Sequence, residues 1–184
     1  VLAVVTATAA LSVGLLSPGQ AAAAQAPAAP SCGNATAAPA QLTLHQMRTS
    51  VLCLVNRVRA HYDLHALAYN AELRTSASAH SVSMVANDYF SHAGPGGSVD
   101  GRISRAGYLS RAGRFVLGED IGGGGGRRYG SPLGVVTAWM HSPPHRRNIL
   151  GPSFRDAGVG VARGFPGSSA AAATYTMDFG AHGE

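Results

Sequence analysis

Lysine is missing from this chain: all fourteen Lys/Arg positions are arginine. Its absence removes a P-loop lysine, a Schiff-base lysine and a Ser-x-x-Lys hydrolase from consideration. The arginines are scattered, with only Arg127-Arg128 and Arg146-Arg147 adjacent. No basic run is interleaved with aromatics, so no nucleic-acid module is expected. The net charge of +5 reads as a solvated basic surface, with anionic envelope polymers or lipid head groups as the partners that charge would attract.

Other motifs are near misses. His141 and His145 are spaced like a zincin pair, but Ser142-Pro143-Pro144 between them supplies neither helix continuity nor the glutamate base. Gly96 to Gly101 resembles a nucleophile elbow, yet Asp100 stands where the last glycine belongs and no strand precedes it. The glycine run 122–126 does not match G-x-G-x-x-G and is expected to be a mobile loop.

Residues 1–24 are apolar, and Ala22-x-Ala24 before Gln25 fits a secretory cleavage site, although a basic start is absent. Pro18, Gly19 and Gln20 interrupt the run, which argues against a membrane anchor. The expectation is a signal peptide over 1–24, a flexible Ala/Pro-rich arm over 25–40, and one domain over 41–184. In an exported chain, the two cysteines Cys32 and Cys53 are most simply a disulfide. It would close a loop of about 20 residues, worth roughly 3 kcal/mol, and it argues against thiol catalysis.

Apolar periodicity predicts a helix over 41–62, with Asn56 making a structural hydrogen bond. A second helix is expected over 71–88, capped by Asn70, and a short one over 99–106, capped by Ser98 and closed by Gly107. His80, in mid-helix, reads as a core or rim histidine. Ser131-Pro132 opens a further helix with Leu133, Val136, Trp139 and Met140 on its apolar face. Pro143-Pro144 should end it and leave His145 at a rigid corner. On this stretch alone His145 is equally a polar turn residue. His92, between the Tyr89-Phe90 pair and a Gly/Pro turn, is held at a similar corner. Residues 157–162 and 172–179 read as a hairpin of strands. Helices first and strands last indicate an α+β fold.

The ordered pieces Cys53-Leu54-Val55-Asn56-x-x-Arg59, His80-x-x-x-Met84, Tyr89-Phe90-Ser91-His92, Gly118-Glu119-Asp120-Ile121, Trp139-Met140-x-Ser142-Pro143-x-His145-Arg146-x-Asn148-Ile149-Leu150 and Tyr175-Thr176-x-Asp178-Phe179-Gly180 are similar to the CAP superfamily (the SCP domain) in its compact bacterial secreted form. The resemblance spans about residues 50–180. It implies a three-layer α-β-α sandwich with a small antiparallel sheet between helices. It also implies a cleft with His92, Glu119 and His145, supported by Asp120 and Ser142, that can hold a divalent ion such as zinc weakly. The family's second glutamate after the tryptophan is missing here, and Asp120 is a partial substitute. The implied function is a secreted, monomeric, non-catalytic binding module for a lipid or cell-envelope component. The alternative is a metal-dependent hydrolase acting on peptide or cell-wall bonds.

Overall fold

The computed structural model describes residues 31–110 and 113–183, without the side chains of 169 and 170. The signal peptide expected from the sequence, and residues 25–30 of the expected arm, lie outside these residues. Residues 31–40, expected to be mobile, are tied to the domain. Cys32 is disulfide-bonded to Cys53, Ser50 Oγ donates to Gly33 O at 2.5 Å, and Leu133 N donates to Ala35 O at 2.8 Å. Pro39 opens a short 3-10 helix, Pro39–Gln41, and is itself buried.

Helix α1, Leu44–His61, starts at a capping box in which Thr43 and Gln46 satisfy each other's backbone N–H. Its apolar stripe of Met47, Val51, Leu54 and Val55 is buried. Arg59 is buried too, and its guanidinium donates to the carbonyls of His65, Ile149 and Gly151, fastening α1 to a distant loop. Asn56 makes the expected structural bond: it pairs with both the N–H and the C=O of Leu67. A two-residue strand, β1 (Ala68–Tyr69), leads to α2, Ala71–Ala86, capped by Asn70 as the sequence indicates. Helix α3, Val99–Arg105, is capped by Ser98.

The long strands are β2 (Arg114–Gly125), β3 (Asp156–Phe165) and β4 (Ser168–Gly183). The sheet order is β1-β3-β4-β2. The three long strands are antiparallel, but β1 pairs with β3 in parallel, so the sheet is mixed and not purely antiparallel. Alternation along β3 sorts the layers. Ala157, Val159 and Val161 join the core formed with α1 and with α5 (Pro132–His141). Gly158 and Gly160 face α2 so closely that a Cβ on either would lie about 2 Å from the α2 backbone, at Arg74 N and the Ala77 carbonyl carbon. Helices thus cover both faces of the sheet, as the sandwich requires.

Two expectations need correcting. The glycine run is not a loop. Gly122 to Gly125 complete β2 and pair with Tyr175 to Ala172, and Gly126 opens the short helix α4, Gly126–Gly130. Packing demands the first glycine, because a Cβ at Gly122 would sit 2.7 Å from Trp139 Nε1 and 2.7 Å from Val135 Cγ2. The proline pair does end its helix as expected, but it does not leave His145 at a corner. α5 ends at His141, Ser142 is extended, and Pro143-Pro144 start a new helix, α6 (Pro143–Ile149). Proline fits a first turn, where its missing N–H has no partner to lose. His145 is therefore the third residue of a helix, not a corner residue.

Candidate functional site

β2 is an outer strand of the sheet, and Glu119 and Asp120 are neighbours on it. Successive strand residues face opposite sides. Glu119 turns to the α2–α3 layer and Asp120 to the α5–α6 layer. Asp120 therefore does not stand in for a second cleft acid. Its Oδ1 accepts from Asn148 Nδ2 at 2.7 Å, while the same amide reaches Glu119 O at 3.2 Å, so Asn148 on α6 pins this part of β2.

The Glu119 carboxylate is buried and clamped. His92 Nδ1 donates to Oε1 at 2.8 Å, and Arg102 Nη2 donates to Oε2 at 2.5 Å. His80 Nε2 stands 3.8 Å from Oε1. Burial alone would push the Glu119 carboxyl up, but the His92 hydrogen bond and the Arg102 and His80 charges together hold it below its ordinary value. Arg102 is itself placed by Nη1, which donates to His92 O at 2.9 Å and Gly97 O at 2.7 Å. A single guanidinium thus holds both the carboxylate and the backbone of the histidine that reads it.

His92 is the accessible member. Its side chain is 52% exposed, against 1% for that of Glu119. Donating from Nδ1 leaves Nε2 free as an acceptor in the neutral ring. His80, by contrast, is buried. Its Nε2 lies 3.0 Å from Ser91 O and its Nδ1 3.4 Å from the Tyr89 hydroxyl. Burial first, with Arg102 adding to it, lowers the His80 pKa despite Glu119. It fits the core or rim role expected of it. His145 comes from the opposite layer, on α6. Its Nδ1 is buried without a hydrogen-bond partner, and its pKa is lowered by burial and then by the His92 charge. Ser142 supplies the backbone corner that starts α6, but its side chain makes no capping bond.

Across the ladder from Glu119 lies Asp178 on β4, fully buried, with neither oxygen hydrogen-bonded. Burial, reinforced by the Glu119 charge, pushes its pKa well above the ordinary aspartate value. Asp178 and Arg102 did not emerge as site residues from the sequence. An aspartate in the apolar pattern Met177-Asp178-Phe179 was the available signal for the first. Arg102, on a short polar helix, carried none.

Among the described residues no three His, Cys, Asp or Glu side chains converge as a metal site. Both Glu119 oxygens are engaged and Asp120 faces away. The donor set left for a divalent ion is the two imidazoles, His92 through Nε2 and His145. A carboxylate behind His92 is the arrangement that orients a metal-bound imidazole, but a firmly held zinc takes three or four protein ligands. Two imidazoles brought from opposite layers fall short of that number.

A sequence model of the CAP family, described as the cysteine-rich secretory protein family, matches residues 52–179. The chain belongs to the CAP family. It is 34% identical over 126 residues to "Uncharacterized protein YkwD" of Bacillus subtilis (strain 168), covering 68% of this chain and 45% of that protein. An extracellular protein containing a SCP domain from Bacillus anthracis superposes with a TM-score of 0.57 at 26% identity, over 75% of this chain and 43% of that one. An outer surface protein of Borrelia burgdorferi shares the fold alone, with a TM-score of 0.64 at 16% identity over 77% of this chain and 97% of its own. This CAP chain thus spans less than half the length of its Bacillus relatives. Among its described residues no helix is long and apolar enough to cross a membrane.

Proposed function

We propose that this CAP domain is a secreted, monomeric, non-catalytic binding module of the cell envelope, and that its cleft histidines take a divalent ion such as zinc weakly. The observation that carries the reading is the asymmetry of the cleft. The buried carboxylate of Glu119 is saturated by His92 and Arg102, and only imidazole nitrogen is left facing outward. Such a cleft presents a tuned hydrogen-bonding and ion-binding surface. It sets up no nucleophile, and two imidazoles fall short of the three protein ligands of a catalytic zinc. The metal-dependent hydrolase is the weaker reading for that reason. The extracellular and outer-surface descriptions of the structural neighbours support the location, and the +5 net charge supports an anionic envelope lipid or polymer as partner.

A zinc bound there would supply a positive centre for an anionic or carbonyl group of the partner. His92 and His145 would hold it, and Glu119 would fix the His92 ring. Calorimetric zinc titration of the wild-type chain against His92→Ala and His145→Ala tests this. Binding should weaken in both variants, and should fade in acid as protons compete for the imidazoles. Equal affinity in all three proteins would overturn the metal reading. A partner screen on anionic lipid vesicles and on cell-wall polymer, with and without zinc, tests the binding role.

A further inference from the structure

Helix α1 contains no acidic residue. Its first turn, where the free N–H groups of a helix favour negative charge, therefore carries no carboxylate. Arg48 follows one turn later and adds a full positive charge to the same end. Among the described residues it has no ion-pair partner. This end of α1 also forms one wall of a cavity.

The cavity, of about 470 Å³, opens between the first half of α1 and the beginning of α2. His45, Arg48 and Leu52 line it from α1; positions three and four apart share one face of a helix. Arg74 lines it from α2 and Tyr69 from β1. Val159 of β3 is a buried core residue that offers only side-chain surface at the bottom. The rim is accessible: His45 and Tyr69 are exposed, and Arg48, Leu52 and Arg74 are half-buried.

The lining states a chemistry. It brings two guanidiniums and no carboxylate, and Arg74, like Arg48, has no ion-pair partner among the described residues. Arg74 Nε donates to the Tyr69 hydroxyl at 2.9 Å. That bond holds the phenol at the rim and leaves both terminal nitrogens of the guanidinium for another acceptor. Tyr69 is 59% exposed, so its ring is open to a ligand. The phenol, the His45 imidazole and the guanidiniums are all planar groups, and such groups stack on an aromatic face. Leu52 and Val159 supply an apolar floor.

We propose that this cavity binds a small aromatic carboxylate, with its ring against Leu52, Val159 and Tyr69 and its carboxylate held by Arg48 and Arg74. Arginine presents paired N–H donors that match the two oxygens of a carboxylate, and the anion supplies the negative charge that this end of α1 lacks. A flat ring buries apolar area with little loss of its own freedom, whereas a flexible alkyl chain must be ordered. The site shares no residue with the histidine cleft and does not depend on metal there.

The test is methyl NMR of the whole chain with three probes: 2-naphthoate, its uncharged analogue 2-naphthamide, and octanoate, which keeps the charge and loses the ring. Naphthoate should move the Leu52 and Val159 methyl signals saturably, by the ring current of a bound aromatic. Naphthamide and octanoate should each bind about tenfold more weakly or worse, as should naphthoate to the Arg48→Gln/Arg74→Gln double variant. Equal affinity of naphthoate and naphthamide, octanoate binding as tightly as naphthoate, or no shift at Leu52 and Val159 up to about 10 mM naphthoate would each overturn the proposal. The probe comparisons need only the wild-type chain, so they decide the matter even if the double variant does not fold.

Discussion

Glu119 on β2 and Asp178 on β4 are direct partners in the antiparallel ladder, and both are buried. Two ionised carboxylates side by side in a dry interior would repel strongly. The fold avoids this by treating them differently. Glu119 receives a histidine and an arginine, which hold its pKa down; Asp178 receives neither, and burial with the Glu119 charge pushes its pKa well up. The fold thereby favours one negative charge over two behind the His92 ring.

Arg102 is the residue on which that division rests. Arg102→Met should leave Glu119 buried without its main counter-charge and release the backbone around His92. The expected loss is about 3–5 kcal/mol in urea unfolding, and adding Glu119→Gln should recover much of it, because the stranded charge is then gone. A fully additive double variant would show that the pair does not act as a unit.

The disulfide makes a second prediction. Cys32 and Cys53 are joined with Cα atoms 5.7 Å apart, 21 positions apart in sequence. Alkylation of the unreduced protein followed by intact mass should find no free thiol. Cys53→Ser should cost roughly 3 kcal/mol by chain entropy. The domain should still fold, since the Ser50–Gly33 and Leu133–Ala35 bonds hold the same segment. Two alkylated cysteines in the unreduced protein would contradict the bond.

How far the chain could be read from its residues depended on how local the determinant was. Caps at Asn70 and Ser98 and the apolar stripe of α1 are set by near neighbours, and they were legible. So were Asn56 as a structural amide and the pairing of the two cysteines. Strand β2 was not legible, because half of it is glycine-rich and its strand character comes from β4 alongside and Trp139 beneath. Missing that strand hid two further facts: that Asp120 points away from Glu119, and that Asp178 stands opposite it. The Pro143-Pro144 pair carried both a stop and a start signal, and a Ser142 able to adopt an extended conformation separates the two helices.

Trp139 and Gly122 provide a packing test. Trp139 is 1% exposed, and its Nε1 donates to Ile121 O at 2.9 Å. Trp139→Ala should cost about 3–5 kcal/mol in thermal or urea unfolding. Gly122→Ala should cost about 1–3 kcal/mol, because its new methyl would overlap Trp139 and Val135. In a Trp139→Phe background, where the Nε1 atom is gone, Gly122→Ala should cost less. Equal cost in the two backgrounds would mean that the indole is not what excludes the methyl.

The pH dependence of stability follows from the buried acids. The Asp120 pKa is pushed up to about 8, chiefly by burial with the Glu119 charge adding to it, against the hydrogen bond from Asn148; Asp178 is raised well above its ordinary value by the same two causes. Between the unfolded aspartate value of about 3.9 and these folded values, the native state holds protons that the unfolded chain has released. Stability then falls as pH rises, with a slope approaching about 1.4 kcal/mol per pH unit for each such group. Glu119, whose pKa is lowered, acts in the opposite sense, and its contribution is lost as pH falls through its folded value. His80 and His145, whose pKa values are lowered, act against the aspartates up to the ordinary histidine value of about 6.5, so the aspartate decline should stand out between about pH 6.5 and 8. Asp120→Asn keeps an acceptor for Asn148 and places an amide where the protonated oxygen, which has no partner, stands. It should flatten the decline by about one proton's worth, and Asp178→Asn should do the same. Urea unfolding of the wild-type, single and double variants across this range reads the slopes directly. A double variant with the wild-type slope would show that neither aspartate holds a proton in the folded protein.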